Sequence, residues 1–445
     1  MSKLFGTDGI RAIAGQYPLD HQTIFVLGKA LVEMLQDESL PPRVVIGRDT
    51  RESGLWIEKM LFLGIQAGGG EAVSAGVIPT SAVSFLTRKH RFSSGIVISA
   101  SHNPYQDNGI KIFSPLGLKI PEKWEARLEK AMASGKARPE RKSPGVSPDP
   151  TLLEDYERFL ATKFRGRAKG KGLRLVIDCA NGASSAIAPR LFSELGFEVT
   201  AIHCRPNGKN INLGCGSLHP EGLVRKVVAD GADLGIAFDG DSDRAIWVDE
   251  KGTVLNGDHT LFVQASDMKE KNLLRRSQVV ATTMSNMGLE KALREMGLEL
   301  VRTRVGDRYV LEKMLEIGSN LGGEQSGHTI FLDDCPTGDG LLTSLRMLDV
   351  MLERGASLSE LASGLHPFPQ VLCNVPVKEK KDFSLFPEIL DVMEEVRQTL
   401  ADTGRLDVRY SGTEPVARVM VEGEDETLVE GLARRMAGVI AKYLG

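Results

Sequence analysis

The sequence GIVISA at Gly95–Ala100 decides the fold class, because a short, mostly apolar run of this kind is typical of a β-strand. A helix-like segment at 81–90 precedes it, and another strand-like run, Ala72–Val77, comes before that segment. The same alternation begins with VVIG at Val44–Gly47 and a helix-like segment at 54–68. Strands that alternate with helices in this way predict an α/β domain.

The alternation continues far beyond this first unit. Residues 134–150 are rich in Pro, Ser and Lys, so they predict a surface linker and a domain boundary near residue 150. We expect three similar α/β domains, followed by a small α+β domain, with bounds at 1–150, 151–256, 257–368 and 369–445. The likeness of the three units suggests internal structural repeats, although no sequence period accompanies it.

Composition limits the class of protein. The 445 residues are 42% hydrophobic, which is enough for several cores, and the net charge of −4 disfavours nucleic acid as a partner. The N-terminus has no apolar signal-peptide region, and no apolar run approaches the ~18 residues of a membrane span, so we expect a soluble protein with no membrane partner. Scattered cysteines predict reduced thiols in the cytoplasm; they are Cys179, Cys204, Cys215, Cys335 and Cys373.

The segment that follows GIVISA, SHNPYQDNGIK at 101–111, places a hydroxyl, an imidazole, amides and a lysine close together. Ligands of α/β sheets usually bind in loops at the carboxyl ends of strands. Phosphoryl transfer needs a nucleophile, a proton shuttle and positive charge, so Ser101 is a candidate nucleophile and Lys111 a candidate acid or base. An ordinary polar turn explains the same residues equally well when the segment is considered alone.

A second loop, DGDSDR at 239–244, follows the apolar run DLGIAF. Asp239, Asp241 and Asp243 stand at alternate positions and would repel one another beside a buried strand unless a cation such as Mg²⁺ neutralised them. An EF-hand also begins D-x-D-x-D, but Arg244 stands where that motif requires glycine, and strands flank the loop. Magnesium usually shares its ligand shell with phosphate, and a phosphorylated Ser101 would supply one.

Two further loops carry ligand-binding groups. GGEQSGH at 322–328 can hydrogen-bond sugar hydroxyls or an amino group, although glycine turns with polar residues are common. RYSGTEP at 409–415, with Arg418 in the next strand, can grip a phosphate through its hydroxyls, backbone N–H groups and arginines. A β-hairpin turn with exposed arginines is the alternative for this fourth loop.

Taken together and in this order, the motifs FGTDGIRA, SASHNPYQDNGIK, DGDSDR, GEQSGH and RYSGTEP resemble the α-D-phosphohexomutase superfamily over nearly the whole chain. The start KLFGTDGIR, the run VGDRYVLEKM and LGGEQSGH resemble the branch that acts on glucosamine phosphates. Three positions depart from the usual pattern without removing a catalytic group: Ala12, Ser242 and Tyr410.

The resemblance implies mixed sheets, four domains around a central cleft, and one loop from each domain in that cleft. It implies that Ser101 is the phosphoserine and binds Mg²⁺ together with the three aspartates of the second loop. The other implied catalytic residues are Lys111, Arg11, His102 and Arg244. The implied substrate-binding residues are Glu324, Ser326 and His328 for the sugar, and Arg409, Ser411, Gly412, Thr413 and Arg418 for the phosphate that is not transferred.

The implied reaction interconverts glucosamine 6-phosphate and glucosamine 1-phosphate through glucosamine 1,6-bisphosphate, as a supply for UDP-N-acetylglucosamine synthesis. A homodimer is one assembly that the resemblance allows. The same chemistry on mannose or glucose phosphates, and a catalytically silent sugar-phosphate sensor, are the alternatives. The chain has neither G-x-x-x-x-G-K-[ST] nor G-x-G-x-x-G, which disfavours a P-loop kinase and a Rossmann dehydrogenase.

Overall fold

The computed structural model describes residues 3–135, 145–166, 172–411 and 415–445, so most of the predicted linker at 134–150 lies outside the described residues. The strands run in chain order: β1 Ile10–Ile13, β2 Arg43–Arg48, β3 Glu71–Val77, β4 Ser94–Ile98, β5 Asp107–Phe113, β6 Arg174–Asp178, β7 Glu198–Ile202, β8 Leu234–Phe238, β9 Ala245–Asp249, β10 Val254–Leu255, β11 Gln278–Thr282, β12 Glu299–Thr303, β13 Leu321–Gly323, β14 Thr329–Phe331, β15 Gln370–Pro376, β16 Gly404–Tyr410 and β17 Val416–Gly423. The helices are α1 His21–Asp37, α2 Gly54–Ala67, α3 Thr80–Lys89, α4 Glu122–Ser134, α5 Pro150–Lys163, α6 Ile187–Glu194, α7 Glu221–Asp230, α8 Gly257–Glu270, α9 Met287–Glu295, α10 Asp307–Ile317, α11 Gly340–Arg354, α12 Leu358–Ala362, α13 Pro387–Leu400 and α14 Glu426–Leu444.

Three sheets share one strand order. The orders β5–β4–β2–β3, β9–β8–β6–β7 and β14–β13–β11–β12 each place the fourth strand beside the third, then the first, then the second. In each sheet the third strand is parallel to the first and antiparallel to the fourth. The strands β1 and β10 extend the first two sheets at the edge. Three similar α/β units with mixed sheets are therefore confirmed, and their common order supports the hypothesis of structural repeats.

The shared order gives three of the predicted loops equivalent positions. The serine loop connects β4 to β5, the aspartate loop connects β8 to β9, and the sugar loop at 324–328 connects β13 to β14. Each is thus the connection from a third strand to a fourth. The serine segment is shorter than the sequence analysis predicted, because β5 already begins at Asp107 and Lys111 pairs with Val97 of β4.

In the first domain, helices α1 and α2 pack closely against each other. A Cβ atom on Gly64 would lie 2.2 Å from the carbonyl oxygen of Phe25, so the crossing requires glycine at that point. The hydrophobic core beneath these helices includes Ile46 of β2 and Ile96 of β4, both fully buried. Packing on both faces explains why these strands are continuous apolar runs.

Residues 1–282 and 301–363 form one compact unit, and residues 283–300 and 364–445 form a second. In the second unit, an antiparallel sheet with the order β15–β17–β16 packs with helices α13 and α14. The buried face of α14 repeats at helical spacing with Val429, Ala433, Met436 and Ile440. The expected small α+β domain at the C-terminal end is therefore confirmed. No helix within the described residues is long and apolar enough to cross a membrane.

Candidate active site

Ser101 lies directly against the aspartate loop. Its buried hydroxyl Oγ donates a hydrogen bond of 2.6 Å to Oδ2 of Asp239, although the two residues are 138 positions apart in the chain. Ser101 has a φ of 52°, in the left-handed region that few residues other than glycine adopt without cost. The hydroxyl of Ser99 accepts the Ser101 N–H at 2.9 Å and helps to hold this turn. Ser101 and the aspartate loop thus meet at one point.

The three aspartates form an acidic site for a metal ion. One carboxylate oxygen from each of Asp239, Asp241 and Asp243 lies within 4.8 Å of the other two, and all three residues are buried. Oδ1 of Asp241 and Oδ1 of Asp243 are buried and have no hydrogen-bond partner in the part of the chain that the structure describes. Ser242 has a φ of 59°, in the left-handed region that glycine adopts without cost. Oxygen ligands of this kind suit a hard divalent cation.

The pKa values of Asp239 and Asp243 shift in opposite directions. Burial and repulsion from Asp243 and Asp241 raise the pKa of Asp239 well above its usual range. Burial alone would also raise the pKa of Asp243, but Lys111, His328 and Arg244 hold it well below. Asp239 is therefore the carboxylate that gains most from a cation.

Lys111 is buried in the middle of this charge network. Its Nζ lies 2.8 Å from Oδ2 of Asp241, 3.3 Å from Oδ2 of Asp243 and 2.9 Å from Oδ2 of Asp8. Burial opposes the ammonium form, but these three carboxylates raise the pKa of Lys111 well above its usual range. These contacts favour the charged ammonium form of Lys111. In this arrangement Lys111 carries a fixed positive charge.

Arg11 contacts Asp8, one of the carboxylates that pair with Lys111. Its Nη2 donates to Oδ2 of Asp8 at 2.6 Å, and Lys119 Nζ lies 2.8 Å from the other oxygen of the same carboxylate. Lys119 also donates to Asp307 at 2.6 Å. Sequence analysis did not single out Asp8, Lys119 or Asp307, although Asp8 and Asp307 lie within the FGTDGIR and VGDRY segments that carried the resemblance.

Thr80 was also missed. It is the first residue of α3, and its hydroxyl donates to Oδ2 of Asp241 at 2.6 Å while its N–H donates to the Asp241 carbonyl at 3.0 Å. The helix N-terminus favours negative charge at this place. Thr80 thus fixes which oxygen of Asp241 is left without a partner. Nothing in its local sequence distinguishes it from an ordinary helix-start threonine.

His102 and Arg244 flank the serine hydroxyl. Arg244 Nη1 donates to Nδ1 of His102 at 3.1 Å, and the same nitrogen lies 3.3 Å from Ser101 Oγ. Burial and the positive charge of Arg244 and Arg11 lower the pKa of His102 to about 4, so the ring is neutral at physiological pH. Both side chains therefore lie close to the hydroxyl of Ser101.

The sugar loop joins the aspartate loop. His328 forms a β-bridge with Arg244, and its Nδ1 lies 3.6 Å from Oδ2 of Asp243. Burial alone would lower the pKa of His328, but Asp243, Asp307 and Glu324 raise it to about 9. Among the predicted sugar ligands, Glu324 accepts the Gly306 N–H at 3.1 Å, and burial raises its pKa. The hydroxyl oxygen of Ser326 is buried, with no partner among the residues described.

The fourth loop belongs to the second compact unit. Arg409 and Arg418 are paired across β16 and β17, and Arg409 Nε donates to Oδ2 of Asp407 at 3.1 Å. The Ser411 N–H donates to the carbonyl of Val416 at 2.8 Å. Gly412 and Thr413 lie outside the described residues. The ring of Tyr410 stacks on Phe383 with centroids 4.5 Å apart.

Comparison with known proteins covers all four domains. Models of phosphoglucomutase/phosphomannomutase match residues 2–139 as alpha/beta/alpha domain I, 154–252 as domain II, 256–368 as domain III and 372–439 as the C-terminal domain.

Individual relatives match over the whole length. The chain is 45% identical to a phosphoglucosamine mutase of Geotalea daltonii, with all of this chain and 99% of that protein covered. A crystal structure of a phosphoglucomutase/phosphomannomutase family protein from Burkholderia thailandensis is similar with a TM-score of 0.82 at 26% identity, covering 99% of this chain and 98% of that one. N-acetylphosphoglucosamine mutase of Aspergillus fumigatus, solved with GlcNAc-6P and magnesium, shares the fold with a TM-score of 0.69 at 16% identity, covering 99% and 95% of the two chains.

Proposed function

Because the chain belongs to the phosphoglucomutase/phosphomannomutase family, we propose that it is a phosphoglucosamine mutase that interconverts glucosamine 6-phosphate and glucosamine 1-phosphate. The observation that carries the proposal is the 2.6 Å hydrogen bond between Ser101 Oγ and Asp239, at the edge of a buried three-aspartate site. A hydroxyl nucleophile beside ligands for a divalent cation is the arrangement that phosphoryl transfer requires. The full-length relative named phosphoglucosamine mutase supports the choice of an amino sugar.

In the proposed cycle Ser101 carries the phosphoryl group. The bond from phosphorus to Oγ breaks while a bond forms from phosphorus to the free hydroxyl of the sugar phosphate, and the proton of that hydroxyl ends on Ser101 Oγ; the return step moves this proton back to the sugar oxygen. The product of this step is glucosamine 1,6-bisphosphate. After it reorients, its other phosphoryl group returns to Ser101 Oγ, and the monophosphate of the opposite position leaves.

The residues around Ser101 have distinct tasks in this cycle. A magnesium ion held by Asp239, Asp241 and Asp243 would offset the charge of the phosphoserine and of the loose transition state. Lys111, held as an ammonium group, adds fixed positive charge and a proton donor. The neutral ring of His102 and the guanidinium of Arg244 lie beside the hydroxyl that receives the phosphoryl group.

We propose the remaining roles on the same basis. Sugar recognition falls to Glu324, Ser326 and His328, and the phosphate that is not transferred is held by Arg409, Ser411, Gly412, Thr413 and Arg418. Domain boundaries near 150, 256 and 368 are supported by the extents of the four family models. Cytoplasmic location is supported by five scattered cysteines, and a homodimer is the proposed assembly.

The test is a coupled assay on glucosamine 6-phosphate together with intact mass. The purified chain should turn over this substrate and carry the added mass of one phosphoryl group, and Ser101→Ala should lose both. Ser114→Ala, in the turn that follows β5 of the same domain, is the matched control and should keep both. A preference for mannose 1-phosphate or glucose 1-phosphate would replace the amino-sugar assignment. Undiminished turnover in Ser101→Ala, or no turnover in the wild type, would remove the mutase proposal.

A further inference from the structure

Two side chains from different sheets converge on the same pair of backbone carbonyl groups in the serine loop. Nη2 of the buried Arg51 donates to the carbonyl of Ser101 at 3.1 Å and to that of Asn103 at 2.6 Å. Nδ2 of Asn212 donates to the same two oxygens at 2.9 and 3.1 Å. Arg51 follows β2 of the first sheet, and Asn212 lies between β7 and α7 of the second domain.

Both donors are themselves held in place. Nη1 of Arg51 forms a fully buried ion pair with Asp49, whose other oxygen accepts the Arg51 N–H at 2.9 Å. The backbone N–H of Asn212 donates to the carbonyl of Ala180 at 2.9 Å. Each donor residue is thus held by a second contact, which fixes its position relative to the serine loop.

The aspartate loop also lies directly against the Ser101 carbonyl group. A Cβ atom on Gly240 would lie 2.5 Å from the Ser101 carbonyl oxygen and 2.9 Å from Nδ2 of Asn212. The absence of a side chain at Gly240 therefore lets the aspartate loop approach the serine backbone directly. The carbonyl of Ser101 is enclosed by Arg51, Asn212 and Gly240.

This enclosure bears on the backbone conformation of the nucleophile. With a φ of 52°, Ser101 lies in a region from which an ordinary residue tends to relax. Relaxation would rotate the peptide groups on either side, so the carbonyl oxygens of Ser101 and Asn103 would turn away from their donors. The direction of Ser101 Oγ, which points at Asp239, depends on the same backbone angles.

We propose that Arg51 and Asn212 are positioning residues that hold the Ser101 loop in the conformation in which its hydroxyl meets the aspartate site. The proposal rests on the proposed function, since it assigns a task within phosphoryl transfer. Within the described residues, neither side chain donates to the Ser101 hydroxyl or to an aspartate of the 239–243 loop. Both therefore act through the backbone.

The decisive variants are at Asn212, which is only partly buried but has a φ of 58°, so Asn212→Asp, which tolerates this backbone angle, is compared with Asn212→Ala, and the Tm of each variant is measured alongside its activity. Asn212→Ala should lower kcat about tenfold to a hundredfold and leave the KM for glucosamine 6-phosphate within about twofold, because the loss falls on the transition state. Asn212→Asp should be worse than Asn212→Ala, because it places a negative oxygen against two carbonyl groups. Asn210→Ala is the matched control, because Asn210 lies in the same loop but donates to Arg205 instead.

A second measurement separates positioning from general stability. The rate at which a hexose 1,6-bisphosphate phosphorylates Ser101, followed by intact mass, should fall in parallel with kcat in both Asn212 variants. Arg51→Lys keeps a cation opposite Asp49 but cannot span both carbonyls in the fork geometry of arginine, so it should show a smaller loss of the same kind. Combined with Asn212→Ala, its effect on kcat should be non-additive, because both residues hold the same two oxygens.

The outcomes distinguish this proposal from the function on which it depends. Wild-type protein that neither turns over nor becomes phosphorylated on Ser101 would overturn the mutase assignment itself. Active wild type with Asn212→Ala at wild-type kcat would overturn the positioning role alone. A rise in KM at constant kcat would also overturn it, since that split would place Asn212 in substrate binding.

Discussion

Asparagine in place of Asp239 should make the metal-free protein more stable while abolishing mutase activity. Asp239 is fully buried and carries the carboxylate whose pKa is raised by burial and by its two neighbours in the loop. Asparagine has the same shape: its Oδ1 can accept the Arg244 N–H, and its Nδ2 can donate to Ser101 Oγ once that hydroxyl turns from donor to acceptor. The substitution therefore removes a repelled charge and little else.

The magnitude follows from the spacing of the oxygens. At separations of up to 4.8 Å, each neighbouring carboxylate repels Asp239 by about 3.5 kcal/mol at an effective dielectric constant of about 20. Attraction to Arg244 cancels part of this repulsion. The destabilisation that a charged Asp239 can cause at pH 7 is also limited to about 4 kcal/mol. Beyond that limit the carboxyl group takes up a proton instead, because protonating an ordinary aspartate at pH 7 costs about that much. We expect a gain of about 2 kcal/mol, which corresponds to a rise in Tm of about 2 °C for a chain of 445 residues that unfolds as one unit.

Thermal unfolding followed by circular dichroism, with EDTA and then with MgCl₂, measures both halves of the prediction. Magnesium should raise the Tm of the wild type by mass action and have little effect on Asp239→Asn. Asp230→Asn is the control, because Asp230 pairs with Lys226 on the surface of the same domain and should show no gain. If Asp239→Asn is less stable than the wild type in EDTA, the reasoning from mutual repulsion is refuted.

Three further substitutions test other parts of the site. Thr80→Val removes a donor to Asp241 and should raise the Mg²⁺ concentration for half-maximal activity about tenfold, whereas Thr80→Ser should stay near wild type; a metal titration decides. Burial raises the pKa of Asp339 to about 6. The free energy of unfolding of the wild type should therefore fall by up to about 3 kcal/mol relative to that of Asp339→Asn as pH rises from 4 to 6, and should then change no further. Urea unfolding at several pH values checks this, and a stability difference that does not vary with pH contradicts it. Gly257→Ala would place a Cβ atom 2.0 Å from the Glu324 carbonyl oxygen, so the KM for glucosamine 6-phosphate should rise about tenfold in steady-state kinetics, and an unchanged KM would count against the sugar-loop assignment.

Most of the fold could be predicted because buried strands and amphipathic helices leave strong local patterns. The run VVIG lies inside β2, and the apolar run before the aspartate loop became β8. The strand β5 was hidden because it begins with Asp107, Asn108 and Gly109, residue types that favour turns. The order of strands within each sheet depends on contacts between distant segments, which no local pattern records.

The candidate site shows the same division between local and distant information. The serine, aspartate and sugar loops could be found because each places chemically active side chains directly after an apolar strand. Lys119 and Asp307 could not be connected, since they meet across 188 positions of sequence, and Arg51 is coupled to Ser101 only through backbone oxygens. Residues that orient the reactive groups carry no signature of their own, because their chemistry is that of any buried ion pair or hydrogen bond.

Lys111 shows why its motif position was not enough to assign its protonation state. Its ammonium contacts Oδ2 of Asp241 and Oδ2 of Asp243, while Oδ1 of each carboxylate is buried and has no hydrogen-bond partner in the described ranges. The lysine thus pairs with one oxygen of each carboxylate and leaves the other oxygen of each available to a further cation. A cation bound by those remaining oxygens would complete the neutralisation, because Asp239, Asp241 and Asp243 are all buried and Lys111 contacts only Asp241 and Asp243 of the three. Lys111 is therefore part of the construction of the acidic site, and it can act as a base only after these contacts weaken.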